Sequence, residues 1–233
     1  MSTGILSIVA TPIGNLSDIT LRALEILKEA EAIICEDTRH TKILLVKYKI
    51  NKPLISYHQH SKLQKIDYII TELKSGKNMV LVSDAGTPGI SDPGGVLVQR
   101  AWEESIKIIP IPGACAAAAA LSASGFAADQ FLFLGFLPKK KGRQTLLTEL
   151  KDEKRTIVLY ESPHRLMKTL EDLGQYLGER TICVARELTK IFEEIKRGSI
   201  PKIIEFFIKN PEKIKGEFVI CIGNATKKNK DQN

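Results

Sequence analysis

Strand-length apolar segments alternate with amphipathic segments along this chain from its first residues onward. Residues 5–10 are apolar except for Ser7, and in residues 20–30 the side chains of Leu21, Leu24 and Leu27 recur at helical spacing. Strands that alternate with helices are typical of βαβ units, in which helices cover a mainly parallel sheet. The pattern therefore predicts an α/β fold.

The alternation predicts two α/β lobes followed by a tail. Residues 1–125 are expected to form an N-terminal lobe with a parallel sheet, and residues 126–224 a C-terminal lobe with a mixed sheet. The sheet of the second lobe is expected to be mixed because residues 182–187 and 192–197 have the pattern of an antiparallel hairpin. Residues 225–233 are polar and basic, and we expect them to be disordered.

The predicted strands and helices follow the apolar pattern closely. Strands are predicted at 5–10, 32–35, 54–57, 79–82, 107–111, 131–137, 156–160, 182–187, 192–197 and 217–222. Helices are predicted at 20–30, 43–48, 63–73, 95–103, 114–124, 165–177 and 201–208. The basic run 139–143 is expected to be a loop or hinge.

Three junctions at the ends of predicted strands are rich in glycine and proline. The longest, residues 83–95, contains four glycines and two prolines, and shorter junctions lie at residues 11–15 and 110–115. Glycine lets a backbone approach a ligand closely, and proline fixes φ so that a loop is preorganised. Ligands of open α/β sheets bind beyond the carboxyl ends of the strands. We therefore expect a ligand site here; the alternative is a long connection without a ligand.

The motifs that are absent limit the class of ligand. The sequence contains no GxGxxG, GxxxxGK[ST] or GxSxG motif, no CxxC pair among its four cysteines and no HExxH among its four histidines. No metal site is predicted, although His58 and His60 lie close together in sequence. Exposed carbonyl groups and small side chains suit S-adenosylmethionine, whose sulfonium polarises neighbouring C–H groups towards carbonyl oxygens.

The net charge of +7 favours a polyanionic partner, most simply a nucleic acid. Basic residues cluster at 139–143 and again in the tail. The chain has neither an apolar stretch long enough to cross a bilayer nor an N-terminal signal pattern, so we expect it to reside in the cytoplasm.

Six motifs, spread from about residue 5 to residue 223, together resemble one known family. They are 9–16 (VATPIGNL), 35–39 (CEDTR), 83–94 (SDAGTPGISDPG), 160–165 (YESPHR), 185–190 (ARELTK) and 215–217 (KGE). The chain resembles the bacterial 2′-O-ribose methyltransferases of small-subunit ribosomal RNA, which have the two-lobed tetrapyrrole-methylase-like (class III) fold.

The resemblance implies a cofactor, a substrate and an assembly. S-adenosylmethionine would lie in a cleft between the two lobes, the substrate would be a cytidine ribose in the decoding region of 16S ribosomal RNA within the small ribosomal subunit, and the enzyme would be a homodimer. By motif position, the cofactor-binding residues would be Pro12, Asp84, Ala85, Gly86, Thr87, Ile90, Ser91, Cys115, Ala116, Tyr160, Glu161, Ala185, Gly216 and Glu217.

The sequence departs from the family pattern at two places. Ala114 follows Pro112-Gly113, where many members have a second proline. Many members also carry a further C-terminal helical region, where this chain has a short basic tail. We expect the 139–143 loop to take a larger share of the RNA contacts for that reason.

Transfer to a hydroxyl group also calls for a proton acceptor, and carboxylates or histidine are suitable. The candidates by motif position are Glu36, Asp37, His58, Glu161 and Glu187, and from these we select Glu36, Asp37 and Glu187. Glu36 and Asp37 have an alternative role as caps of the helix that follows them. Glu187 has an alternative role in an ion pair with Arg186 or Lys190.

The candidate RNA-binding residues are basic, because guanidinium and ammonium groups bind phosphate. They are Arg39, Lys139, Lys140, Lys141, Arg143, Arg165 and Arg186. For Arg39, Arg165 and Arg186, a structural ion pair is the alternative. Two other functions stay open at this point: methylation of a tetrapyrrole or other small molecule, and ribosome binding without catalysis.

Overall fold

The computed structural model describes residues 3–58 and 63–224, which form two units, each built around one five-stranded sheet. The units are Met1–Cys115 and Ala116–Asn233. The division precedes the helix Ala116–Ser124, whereas the sequence places the lobe boundary after residue 125. This helix belongs to the second unit because it packs against three strands of the second sheet. His60 and the predicted tail at 225–233 lie outside the described residues.

The first unit contains a fully parallel sheet, as predicted. Its strand order is β3-β2-β4-β1-β5, and every pairing in it is parallel. The strands are β1 (Ile5–Val9), β2 (Ala32–Cys35), β3 (Leu54–Ser56), β4 (Met79–Leu81) and β5 (Lys107–Ile111). The helices are α1 (Leu21–Glu29), α2 (Thr38–Lys47), α3 (Leu63–Lys74) and α4 (Gly94–Glu103).

Apolar side chains fill both faces of this sheet. Ile33 and Ile34 are adjacent in β2 and fully buried, yet they belong to different core clusters because successive strand residues point to opposite faces. One cluster packs α3 and α4 onto the sheet, and the other packs α1 and α2. Burial of both faces explains why the strands are continuous apolar runs.

The second unit contains a mixed sheet, also as predicted. Its strand order is β6-β7-β10-β8-β9; β6 and β7 are parallel and the remaining pairs are antiparallel. The strands are β6 (Phe131–Phe136), β7 (Thr156–Glu161), β8 (Thr181–Arg186), β9 (Glu194–Ser199) and β10 (Phe218–Ile222). The helices are α5 (Ala116–Ser124), α6 (Arg143–Glu149), α7 (Leu166–Leu177) and α8 (Ile200–Lys209). The predicted hairpin is present as β8 and β9, although β9 begins at Glu194, two residues later than expected.

Two helices differ from the sequence-based expectation. Helix α2 begins at Thr38 rather than at residue 43, because the Asp37 side chain caps it by accepting a hydrogen bond from the backbone N–H of Arg39. Helix α6 was not predicted, and it begins at Arg143, the last residue of the 139–143 run that was expected to be a loop or hinge. It has seven residues, too few for a clear periodicity, and Leu147 anchors it in the core.

Among the described residues, no helix combines the length and the apolar character needed to cross a membrane. Within the same residues, no group of three or more histidine, cysteine, aspartate or glutamate side chains is placed to hold a metal ion.

Candidate functional site

The carboxyl ends of β1 and β4 are joined by a backbone pair outside the sheet. Thr11 and Gly86 form an isolated antiparallel bridge, in which the N–H of each donates to the C=O of the other, at 2.8 Å from Thr11 and 3.0 Å from Gly86. Parallel strands end at the same edge of a sheet, so the loops that follow them can meet there. The bridge holds the start of the 83–95 loop against the Thr11-Pro12 junction.

Hydroxyl groups reinforce this arrangement. The Thr11 hydroxyl donates to the carbonyl of Ser83 at 3.1 Å, and the Ser83 hydroxyl lies 3.2 Å from the carbonyl of Gly86. The Thr87 hydroxyl donates to the carbonyl of Ala114 at 3.0 Å, which connects the loop to the junction that follows β5. All three glycine- and proline-rich junctions are thereby brought together in the first unit.

The far half of the loop is folded around one carboxylate. Asp92 Oδ1 accepts hydrogen bonds from the backbone N–H of Gly89 at 2.8 Å and of Gly94 at 2.7 Å. Gly86, Gly89 and Ser91 have φ values of 81°, 84° and 65°. This left-handed conformation is favourable for glycine and strained for most other residues. The loop is therefore a preorganised structure whose shape favours glycine at residues 86 and 89.

Asp37 and Asp84 are both engaged in local structure. Asp84 Oδ1 accepts the backbone N–H of Asp37 at 3.0 Å, which ties β2 to the loop. The Asp37 carboxylate caps α2 and pairs with the exposed Arg39 guanidinium at 2.7 Å. The hydrogen bonds from Arg39 hold the pKa of Asp37 well below its usual range. The capping interpretation of Asp37 is confirmed.

Glu36 has the opposite electrostatic environment. Its side chain is half-buried, and burial, followed by the nearby Asp92 and Asp84 carboxylates, raises its pKa to about 7. A hydrogen bond from the backbone of Asp84 opposes that shift. Glu36 can therefore exchange a proton near neutral pH, whereas Asp37 stays ionised.

Other predicted residues of the first unit follow the carboxyl ends of strands β1, β4 and β5. Pro12 and Asp84 line a small cavity together with His40, at the side of helix α2. Ala85 and Ile90 are exposed on the loop. Cys115 ends the first unit and is half-buried.

In the second unit, Glu161 ends strand β7 with a fully buried carboxylate. Its Oε1 accepts the backbone N–H of Ser162 at 2.8 Å and lies 3.3 Å from the Arg165 Nε, and its Oε2 accepts the Thr169 hydroxyl at 2.6 Å. Both carboxylate oxygens are thus bonded within the unit, and they fix the start of helix α7. Its neighbour Tyr160 accepts the backbone N–H of Ala117 at 3.3 Å, at the first turn of α5 that begins with Ala116.

Arg143 extends this network. Its Nε donates to Asp172 Oδ2 at 2.8 Å, and its two terminal nitrogens donate to the Thr169 hydroxyl at 2.9 Å and to the carbonyl of Pro138 at 3.1 Å. The exposed Lys168 ammonium pairs with the other oxygen of Asp172 at 2.8 Å. Burial acts to raise the pKa of Asp172, but the hydrogen bonds from Lys168 and Arg143 lower it. Arg143 is buried and holds the loop before α6 in place.

A cavity of about 710 Å³ lies beside this network. Its lining includes the side chains of Lys139, Lys140, Lys141, Arg143, Arg165 and Lys168, together with the Asp172 carboxylate. The structure therefore brings together five of the seven predicted RNA-binding residues.

Glu187 and Gly216 meet at another edge of the second sheet. A Cβ at Gly216 would lie 1.9 Å from Glu187 Oε1, so only glycine leaves room for the Glu187 carboxylate, and the φ of 75° at Gly216 also favours glycine. Glu187 forms an ion pair with Lys190 at 2.8 Å, which confirms the ion-pair interpretation. Ala185 is buried in β8, and Glu217 is exposed beside Gly216.

The four predicted RNA-binding arginines all have carboxylate partners. The pairs are Arg39 with Asp37, Arg143 with Asp172, Arg165 with Glu161, and Arg186 with Glu194. The ion-pair interpretation is thereby confirmed for Arg39, Arg165 and Arg186, and Arg186 pairs with Glu194 rather than with Glu187. RNA binding by these arginines stays a prediction.

Sequence reasoning did not single out Thr169, Asp172 or Glu194. A signal for the first two was present, because Arg165, Thr169 and Asp172 lie four and three residues apart within the predicted helix 165–177. Such residues share one face of a helix. No comparable local signal marks Glu194, which meets Arg186 across the β8–β9 pair.

Comparison with known proteins gives consistent results. The family model described as Tetrapyrrole (Corrin/Porphyrin) Methylases matches residues 6–204. A protein of Synechocystis sp. named "Ribosomal RNA small subunit methyltransferase I" is 52% identical over 96% of this chain and 80% of its own length. A Thermotoga maritima protein of the same name is 47% identical over 94% of this chain and 98% of its own length.

Solved structures show the same fold at low identity. The methyltransferase CobJ superposes with a TM-score of 0.69 and 20% identity, covering 96% of this chain and 95% of that one. Diphthine synthase superposes with a TM-score of 0.72 and 13% identity, covering 94% of this chain and 90% of that one.

The buried network makes a prediction about stability. Replacing Arg143 with alanine is expected to lower the free energy of unfolding by about 3 kcal/mol, because the buried Asp172 and Thr169 lose their partner. Lys168→Ala is the control, since it removes the exposed partner of the same carboxylate and should cost less than about 1 kcal/mol. Urea unfolding measures both; equal effects would contradict a structural role for Arg143.

Proposed function

This chain belongs to the family of the tetrapyrrole (corrin/porphyrin) methylases and, within it, to the group of the ribosomal RNA small subunit methyltransferases I, and we propose that it transfers a methyl group from S-adenosylmethionine to the 2′-hydroxyl of a cytidine in 16S ribosomal RNA. The observation that carries the proposal is the similarity to relatives with this name. Two of them are 52% and 47% identical to this chain over 96% and 94% of its length. We further propose that the enzyme is a cytoplasmic homodimer that acts on the small ribosomal subunit.

The 83–95 loop fits S-adenosylmethionine as the methyl donor. The positive φ at Gly86 and Gly89 lets the backbone turn without side chains, so that a ligand would meet the backbone and small side chains. The Asp84 and Glu36 carboxylates lie in the same region and suit a ligand that carries a positive charge. When bound, this cofactor would supply an electrophilic methyl group.

In the first unit, the proposed cofactor-binding residues are those of the joined junctions. They are Pro12, Asp84, Ala85, Gly86, Thr87, Ile90, Ser91 and Cys115. In the second unit, Ala116, Tyr160, Glu161, Ala185, Gly216 and Glu217 stay proposals by motif position. Glu161 and Ala185 are buried, so their proposed role is to shape the backbone around the ligand.

Glu36 is the proton acceptor that we propose. The ribose oxygen would form a bond to the methyl carbon as the sulfur–methyl bond breaks and S-adenosylhomocysteine leaves, and the ribose proton would pass to a base. Hydrogen bonds from Arg39 hold the pKa of Asp37 well below its usual range, which makes Asp37 a weak base, and Glu187 is held in an ion pair with Lys190. The pKa of Glu36, raised to about 7 by burial and by Asp92 and Asp84, makes it a stronger base than Asp37.

The substrate proposal is tested by methyl transfer. The purified protein, supplied with labelled S-adenosylmethionine, is expected to label small ribosomal subunits that lack the modification, and nuclease digestion should release 2′-O-methylcytidine. A porphyrinogen tested in parallel represents the alternative of small-molecule methylation and should stay unlabelled. The proposal fails if neither the subunit nor free 16S ribosomal RNA becomes labelled.

Gly86→Ala tests the cofactor site. Alanine at a φ of 81° is strained by about 1–2 kcal/mol, so the variant should bind S-adenosylmethionine roughly 5–30-fold more weakly in calorimetric titration as the loop shifts. Gly125→Ala is the matched control, because Gly125 also has a positive φ, 68°, and lies outside the proposed site. Equal affinities of the two variants would argue against the assignment of the loop.

If Glu36 accepts the proton, the rate of methyl transfer should have a characteristic pH dependence. The rate of transfer should rise about tenfold per pH unit up to pH 7 and then level off, because only the ionised carboxylate accepts a proton. In the Glu36→Gln variant the rate should fall by about 10²–10⁴-fold and this inflection should disappear. Asp37→Asn, the adjacent control, should keep the inflection.

A stability measurement checks the same pKa without catalysis. The folded-state pKa lies above the unfolded value of 4.5, so folding retains a proton that the unfolded chain releases. The wild-type free energy of unfolding should therefore fall, relative to that of Glu36→Gln, as the pH rises from 4.5 to about 7. No relative change over this range would contradict a raised pKa.

A further inference from the structure

The basic cavity of the second unit contains two kinds of cation. Arg143 and Arg165 are held by carboxylates and backbone carbonyls, since Arg165 donates to the carbonyl of Leu137 at 2.6 Å as well as pairing with Glu161. The side chains of Lys139, Lys140 and Lys141 are exposed, and within the described residues none of their ammonium groups forms a salt bridge. The structure thus separates cations that hold the loop from cations that can meet a ligand.

The arginines fix the loop that carries the lysines. The Arg143 guanidinium donates to the carbonyl of Pro138, and the backbone N–H of Arg143 donates to the carbonyl of Lys140 at 3.2 Å. Together with the Arg165 bond to Leu137, these contacts anchor both ends of the lysine run. A fixed loop loses little conformational entropy when a ligand binds, so three ammonium groups on it can act as one site.

The charge of the cavity calls for an anionic occupant. The Asp172 and Glu161 carboxylates offset two of the three charges on Arg143, Arg165 and Lys168, so most of the excess positive charge comes from the three lysines. Ammonium groups bind phosphate oxygens as point charges and do not read base identity. The volume of about 710 Å³ is within the range of sites that hold molecules of nucleotide size.

We propose that Lys139, Lys140 and Lys141 form a docking site for the phosphate backbone of the RNA substrate, distinct from the residues proposed to bind the methyl donor. This inference rests on the proposed ribosomal RNA substrate. None of the three lysines is among the proposed cofactor residues, and the connection between the two sets runs through the buried chain from Glu161 to Thr169 and Arg143. The site contributes affinity and register, and the base sequence is read elsewhere.

The test replaces all three lysines with glutamine in the full-length protein. Binding of a fluorescent single-stranded RNA with the target sequence is measured by anisotropy over a series of salt concentrations. The dissociation constant at low salt should rise at least tenfold, and the slope of its logarithm against that of the salt concentration should fall by about 2, since each phosphate contact on a single strand contributes about 0.7. Calorimetric affinity for S-adenosylmethionine should be unchanged.

A second triple variant controls for net charge. Lys28, Lys107 and Lys154 are exposed and lie outside the cavity, so their replacement by glutamine removes the same charge. This control should keep the wild-type salt slope. A third variant, in which arginine replaces the three cavity lysines, should also have the wild-type salt slope. The proposal is overturned if the two glutamine variants lose equal affinity, or if the cavity variant keeps the wild-type slope.

The outcome is independent of the test of function. Methyl transfer to small subunits by the wild-type protein decides whether ribosomal RNA is the substrate. Transfer by the wild type together with an unchanged salt slope in the cavity variant would remove the docking site and leave the substrate proposal intact. Absence of transfer by the wild type would instead remove the substrate proposal, whichever slope is measured.

Discussion

The backbone pair between Thr11 and Gly86 is the contact on which the first unit's site depends. A parallel sheet places the ends of β1, β2 and β4 at one edge, but it does not by itself hold the loops beyond that edge together. The reciprocal hydrogen bonds of this pair do so, and the Thr11, Ser83 and Thr87 hydroxyls satisfy carbonyl groups around them. The loop is thereby held in a fixed shape by backbone and hydroxyl groups.

A different interaction organises the second unit. The buried Glu161 carboxylate accepts three hydrogen-bonding or ionic partners, and through Thr169 it reaches Arg143 and then Asp172. A buried carboxylate is favourable only when its oxygens are satisfied, so these residues depend on one another. The consequence is that the exposed lysine run, residues 139–141, is held in a fixed position although its side chains are charged.

The sequence predicted the helices and strands far better than it predicted the ion-pair partners of the charged side chains. Apolar runs in β1 and β4 and the hairpin of β8 and β9 are local patterns, and the structure confirms them. Helix α6 was missed because seven residues give too little periodicity, and the start of α2 was set by one cap at Asp37. The arginine partners were harder to assign, since an exposed phosphate-binding arginine and an ion-paired one have the same local sequence.

The sequence by itself determined the α/β class, the parallel and mixed sheets, the glycine-dependent loop and the family, because these follow from periodicity and from motifs in fixed order. Only the tertiary structure decided in which direction the pKa of a carboxylate is shifted. Glu36 and Asp37 are neighbours in the chain, yet burial beside Asp92 and Asp84 raises the pKa of one while Arg39 lowers that of the other. Electrostatic energies depend on distance and burial, which residues distant in sequence determine jointly once the chain has folded.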